Sequence, residues 1–370
     1  MGIQQVAPAM KVLHVEPGKG LAGGAQQVLY IVEGLRARGV ECVVACEPQA
    51  PLDNQLRAMG IRSAAISYKG DADLFYAARL RELIATERPD VVHLHSRRGA
   101  VLGMIAAKWA GVPCVTSRRV DDRLSSSISV WAHSRLNARV VCISDAIRRV
   151  MQDAGVPADK LVTIRSSVDP APWQHPAPRS EFLAEFALPE DAFVIGVVAQ
   201  LIPRKGHRYL FEALQGLPSE RIRVIVFGSG RSQADLEQTV VRLGIDETVQ
   251  FAGQRWDLPR WMGNLDLLVH PATMEGLGVA LLQASSAGVP LVASAAGGIT
   301  EVVRDGVNGL LVPPADVPAL HEAIASLLAD KDRREQMGRA GMVLMASEYS
   351  ADTMVEQHIA LYQGTLAGRR

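Results

Sequence analysis

The residues best suited to chemistry lie early in the last third of the chain. Glu275 stands in a turn with Gly276, Leu277 and Gly278, and an apolar helix follows that carries one amide, Gln283. A strand from Leu291 to Ala295 then leads to a double glycine, Gly297-Gly298. A carboxylate at a helix mouth can accept sugar hydroxyls, and bare backbone beside it lets a diphosphate approach N–H groups. This pattern suits a polyhydroxylated, phosphorylated ligand. Glu is not among the preferred N-cap residues, which argues against a purely structural cap at Glu275.

Upstream, Arg204-Lys205-Gly206 precedes a helix that starts near His207. Two cations beside a helix N-terminus form an anion site, because free N–H groups and the helix dipole add to their charge. A third candidate lies near the start. Gly18-Lys19-Gly20-Leu21-Ala22-Gly23 follows a strand, precedes a helix and matches the dinucleotide fingerprint, with Glu47 where a ribose carboxylate would sit. An NAD-dependent oxidoreductase is therefore an alternative reading, although no dehydrogenase catalytic site accompanies the loop.

These segments hang on a repeating frame of strand, glycine turn and amphipathic helix. Strands are predicted at Val12–Glu16, Val40–Cys46, 90–95, Cys114–Ser117, Val140–Ile143 and Leu161–Ile164. Their unbroken apolar character indicates parallel strands buried on both faces. Four prolines in residues 169–178 can continue neither a helix nor a central strand, so this stretch is predicted to be the linker between domains. The alternation restarts at Phe193–Ala199 and runs to Gly309–Val312; a last helix near Ala351–Leu366 has no strand after it. The fold class is α/β, with two doubly wound Rossmann-like domains facing across a cleft. The predicted bounds are residues 1–170 and 179–350, with 351–370 as the terminal helix.

A chain of 370 residues, 48% hydrophobic and 21% charged, fits two globular domains. Its net charge is zero, but residues 1–175 hold 22 Lys+Arg against 16 Asp+Glu. The surplus concentrates in Arg97–Arg149, with ten basic and three acidic residues, which suits phosphates or an anionic membrane surface. Only Trp109 and Trp131 could stack on bases there, so nucleic acid is not expected as a partner. Cys42, Cys46, Cys114 and Cys142 lie in apolar runs and read as buried thiols of a cytoplasmic protein. No His or Cys spacing suggests zinc. Met1 to Met10 lacks the features of a signal peptide, and no apolar run is long enough to span a bilayer.

Across nearly its whole length the chain resembles the retaining family-four glycosyltransferases of GT-B fold, most specifically over Phe251–Pro313. Lys205 matches the lysine of that family's Arg, four residues, Lys-Gly phosphate clamp, and Gln200 falls at the arginine. Glu275 matches the carboxylate that holds the donor sugar, while Gln283 stands where the family has a ribose-binding Glu. Gly23-Gly24-Ala25-Gln26 resembles the family's Gly-Gly-Ala-Glu loop, and Arg118 replaces a common His. The resemblance implies that Lys205, Arg204 and Gly297-Gly298 stabilise a leaving diphosphate, without a metal or other cofactor. It implies that the first domain binds the acceptor, with Gly23, Gly24 and Arg118 at the cleft, and that the final helix crosses back to that domain; His95, at the C-terminal end of its strand, is a further cleft candidate. The basic segments resemble those of bacterial enzymes of lipopolysaccharide or exopolysaccharide assembly, so the expected acceptor is a cell-envelope glycan or glycolipid. The expected location is cytoplasmic, peripheral on the inner face of the membrane. A weakly active nucleotide-sugar-binding protein remains an alternative.

Overall fold

In a computed structural model the described residues are 10–20, 23–124, 126–218 and 220–368. They divide into two compact units: the chain up to Ser167 together with residues from Ala351 onward, and Val168–Ser350.

The first unit is built on seven parallel strands: β1 (Lys11–Glu16), β2 (Glu41–Cys46), β3 (Arg62–Ala65), β4 (Val91–Leu94), β5 (Cys114–Arg118), β6 (Arg139–Cys142) and β7 (Leu161–Thr163). Their order is β3-β2-β1-β4-β5-β6-β7, so strand order reverses between β1 and β4. Both faces of the sheet are covered. Val12 and Val44 pack beneath α1 (Gly23–Ala37), while Leu13 and Val15 join a core with Leu80 and Met104. Those two residues belong to α3 (Leu74–Glu87) and α4 (Ala100–Trp109), which follow α2 (Pro51–Ala58). Polar N-caps start several helices: Asp73 accepts from the Tyr76 N–H at α3, and Ser126 and Ser144 cap α5 (Ser127–Arg135) and α6 (Asp145–Asp153).

The second unit opens with residues 168–178. The four prolines do break regular structure, but the stretch is not a free linker. Trp173 is buried in the second unit, the Ala177 N–H donates to the Arg260 carbonyl, and Asn264 donates to the Ala177 carbonyl. An indole supplies enough apolar area to hold an otherwise irregular segment in place. After α7 (Arg179–Glu185) come β8 (Phe193–Val198), α8 (His207–Ala213), β9 (Ile222–Phe227), α9 (Gln233–Arg242), β10 (Val249–Gly253) and α10 (Leu258–Trp261). Then follow β11 (Leu267–His270), α11 (Val279–Ser286), β12 (Leu291–Ser294), α12 (Ile299–Val302), β13 (Gly309–Val312), α13 (Val317–Ala329) and α14 (Lys331–Glu348). The six parallel strands run β10-β9-β8-β11-β12-β13, with the reversal between β8 and β11. The chain then returns, and α15 (Ala351–Ala367) packs on α1 of the first unit through Met354, Val355 and Tyr362.

Candidate active site

In an open parallel sheet, loops leaving the strand ends diverge where strand order reverses, and ligands bind there. In the second unit the relevant loops follow β8 and β11. After β8, Pro203–Lys205 form one 3₁₀ turn, and Gly206, at φ +72°, leads into α8. A Cβ at Gly206 would lie 1.9 Å from the Pro271 carbonyl oxygen, so only glycine lets the two loops touch. The Thr273 N–H donates to the Arg204 carbonyl at 2.9 Å, joining the loops further. The loop after β12 adds a third piece: the Gly298 N–H donates to the Glu275 carbonyl at 3.0 Å. A Cβ at Gly298 would meet the Gly276 carbonyl oxygen at 2.1 Å.

The Glu275 carboxylate occupies the middle of this arrangement. Its Oε2 accepts from Lys205 Nζ and, at 2.9 Å, from His270 Nε2; its Oε1 accepts the Gly276 N–H at 3.1 Å. The Glu275 and Lys205 side chains are only 13% and 11% exposed, so screening of their attraction is weak. Burial alone would raise the Glu275 pKa. The His270 hydrogen bond and the Lys205 charge outweigh it and hold the carboxyl well below its ordinary range. His270 moves down as well, because burial penalises its charged form and Lys205 repels it, against a partial opposing effect of Glu275. The result is an ionised carboxylate, an adjoining ammonium and a neutral imidazole within one pocket.

The other residues expected at this site have distinct placements. Arg204 lies beside Lys205, with its guanidinium 3.5 Å from the Met274 carbonyl. Gly297 is exposed, Gln200 is exposed just past β8, and Gln283 is half-buried on α11. Leu277 is fully buried, so it offers backbone and apolar packing, and no side chain, to a ligand. Gly278, at φ +92°, occupies the N-cap position of α11.

Residues 178–342 match the family described as Glycosyl transferases group 1, and residues 21–172 match Glycosyltransferase Family 4. The chain is a family-four glycosyltransferase. It is 26% identical over 346 residues to the UDP-Gal:alpha-D-GlcNAc-diphosphoundecaprenol alpha-1,3-galactosyltransferase of Escherichia coli, covering 87% of this chain and 89% of that one. It is 24% identical to the lipopolysaccharide core biosynthesis glycosyltransferase LpsE of Rhizobium meliloti, over 95% of this chain and 98% of that one. HepE of Anabaena, solved in complex with UDP, superposes with a TM-score of 0.84 at 24% identity, covering 96% of this chain and all of that one. The fold is GT-B.

The first unit of this glycosyltransferase departs from several expectations. His95 is not on an open wall. It is 1% exposed, and its Nε2 shares a 2.9 Å hydrogen bond with His14 Nδ1. Arg118 is also buried, and its guanidinium binds the carboxylate and carbonyl of Asp122 on the loop that follows β5. It borders a cavity of about 450 Å³ that Arg97, Arg98, Ser117 and Arg123 also line. Gly23 and Gly24 are the first residues of α1 and are half-buried. In the glycine loop, the Gly18 N–H donates to Glu16 Oε1 at 2.9 Å; Leu21 and Ala22 lie outside the described residues, as do Met1–Ala9. Glu47, the supposed ribose carboxylate, accepts the Tyr68 N–H at 3.0 Å.

Linear spacing hides two features. His270 is the last residue of β11, and its position five residues before Glu275 was the only available sign of its role. The other is a histidine cluster that the spacing of His14 from His93 and His95 does not announce: candidate ligand atoms of the three all lie within 4.8 Å of one another. The group does not fit a metal well. Both ring nitrogens of His93 are engaged, by Tyr362 at 2.6 Å and Ser117 at 2.8 Å, leaving two imidazoles that already bond to each other. Among the described residues, no helix is long and apolar enough to cross a membrane.

Proposed function

We propose that this glycosyltransferase moves a hexose from a nucleotide-sugar to a cell-envelope glycan or glycolipid, with retention of configuration and without a metal cofactor. The observation that carries this reading is the Lys205–Glu275 pair, held beside the Gly276 and Gly298 backbone where β8 and β11 diverge. Glu275 accepts hydroxyls of the donor sugar. Lys205 and Arg204, with the N–H groups near Gly297 and Gly298, stabilise negative charge on the departing diphosphate, an electrostatic effect strengthened by burial. Gln283 lies toward the ribose, and Gln200 lines the nucleotide side. The leaving phosphate takes the acceptor's proton, so no glycosidase-like carboxylate pair is required.

For the acceptor, the cavity in the first unit offers Arg97, Arg98 and Arg123 to a phosphate, with Val101, Leu102 and Ile128 as an apolar wall. Such a mixture suits an amphiphilic, anionic glycolipid. Leu74, Phe75, Trp109, Ile128 and Trp131 of the same unit are exposed and would favour a membrane interface beside basic side chains. The named activities of the E. coli and R. meliloti relatives agree with such an acceptor. The working location is the cytoplasmic face of the membrane, without a spanning segment.

The decisive experiment is a thermal-shift panel of UDP, GDP, ADP and their sugars, with NAD and NADP alongside. A nucleotide-sugar is expected to raise the melting temperature, and neither dinucleotide to do so. Stabilisation by NAD alone would return the molecule to the oxidoreductase reading. Sedimentation with anionic but not zwitterionic vesicles, weakening with salt, tests the membrane assignment. Equal partitioning to both would remove it.

A further inference from the structure

His270 ends β11 and is 2% exposed. A carboxylate can only accept, so the 2.9 Å contact to Glu275 Oε2 requires the hydrogen on Nε2. Nδ1 is then bare, and among the described residues it has no partner. A buried imidazole with one nitrogen unsatisfied is costly to keep for packing alone. An aliphatic side chain would fill the same volume without that cost. The charged and titratable groups acting on His270 are Glu275, Lys205 on the loop after β8, and His207 at the start of α8. His207 is itself buried, with neither ring nitrogen hydrogen-bonded among the described residues.

The consequence falls on Glu275. Lys205 is a flexible point charge, which a ligand's diphosphate can draw away from the carboxylate. His270 is fixed by the end of a central strand and cannot follow. We propose that His270 is a positioning residue for sugar recognition: its Nε2–H anchors Glu275 Oε2, so that Oε1 keeps its orientation toward the sugar hydroxyls after Lys205 turns to the diphosphate. This inference rests on the donor-site reading above and adds to it an orienting group that touches neither nucleotide nor sugar.

The test compares affinities for UDP-glucose and for UDP, or for GDP-mannose and GDP if the panel selects guanine. Calorimetry is run on wild type, His270→Phe, His270→Gln and Glu275→Ala. The quantity read is the gain in affinity that the sugar adds over the bare nucleotide. His270→Phe is expected to lower that gain about tenfold, close to 1.4 kcal/mol, with nucleotide affinity within about twofold of wild type. His270→Gln, whose amide reaches the place of Nε2, is expected to restore most of it. Loss of the His270 hydrogen bond should also let the Glu275 carboxyl rise, moving the acid limb of sugar recognition to higher pH. A purely structural residue would lower both affinities together and leave the pH limb in place.

An unchanged sugar gain in a folded His270→Phe protein overturns the inference. If that variant loses its cooperative melting transition, His270→Gln against His270→Asn decides, because the shorter amide cannot reach Oε2. Equal sugar gain in those two again overturns it. Glu275→Ala separates the two levels: no effect of that change sinks the donor-site reading itself, whereas a large effect there with none at His270 sinks only the positioning role.

Discussion

Each sheet reverses its strand order once, between β1 and β4 in the first unit and between β8 and β11 in the second, yet the two places hold opposite kinds of polar group. In the first unit, His14 on β1 and His93 on β4 sit in register, and His95, His358 and Tyr362 close over them. These groups are buried and bonded mainly to one another, and burial together with the neighbouring Arg119 guanidinium keeps His93, His95 and His358 neutral. In the second unit, Lys205 and Glu275 remain charged and partly open to solvent, beside glycine backbone. One crevice has become a polar core and the other has kept ionised groups. The difference follows from what covers them. Helix α15 is laid over the first sheet's face, and its His358 and Tyr362 desolvate the histidines, whereas in the second unit the loops after β8, β11 and β12 pack on one another through Gly206 and Gly298, and the Lys205 and Glu275 side chains keep 11% and 13% of their surface exposed.

The largest effect is expected from removing the carboxylate of the second crevice. Glu275→Ala is expected to reduce transfer more than about 100-fold, roughly 3 kcal/mol at the transition state. Steady-state kinetics on the panel's best donor measures it, and full activity in a folded variant would remove Glu275 from the site.

Next comes the polar core of the first unit. Burial lowers the pKa of His14 to about 3 and, against a smaller opposing effect of the hydrogen bond that His358 Nδ1 donates to the Met354 carbonyl, that of His358 to about 4. Unfolded histidines protonate near 6.5, so between about pH 4 and 6.5 the unfolded state binds more protons. Stability should therefore fall as pH drops through that window and recover above it, by about 2 kcal/mol per fully buried histidine between pH 6.5 and 4.5. Melting curves against pH should show a shallower slope for His358→Gln. An unaltered slope would mean that His358 protonates while folded.

Gly298→Ala should be smaller again. Its Cβ would press on the Gly276 carbonyl and shift the loop that bears Glu275, so donor affinity is expected to fall about tenfold, near 1.4 kcal/mol. Calorimetry reads this directly, and wild-type affinity would show that the loop yields without consequence.

The smallest effect concerns Gln283→Glu. A carboxylate at this half-buried position of α11 should strengthen contacts to ribose hydroxyls by roughly 1 kcal/mol. Identical nucleotide affinities in the two proteins would place Gln283 away from the nucleotide.

Much of this was legible in the chain as written. The strand–turn–helix alternation follows from side-chain periodicity within ten or fifteen residues, so the strands of both sheets could be anticipated except the short edge strand β3, whereas the return of the last helix was implied by the family resemblance alone. Glu275, its glycines and Lys205 were legible for the same reason: turn chemistry and a helix mouth are local. What the tertiary structure alone decided were contacts across long separations. Lys205 meets Glu275 over 70 residues, His14 meets His95 over 81, and His93 meets Tyr362 over 269. Such pairs depend on strand order and register, which no local pattern states. For that reason Arg118 could be read as a ligand before Asp122 was seen to bind it, and His95 as a wall of the site before α15 buried its neighbours. His270 was visible only as the end of a strand; its neutral, donating imidazole came from the turn that folds Glu275 back onto it and from the burial that strips its charge. The sequence determined which groups were available and on which elements, and the packing of three loops and one returning helix determined which of them stayed ionised.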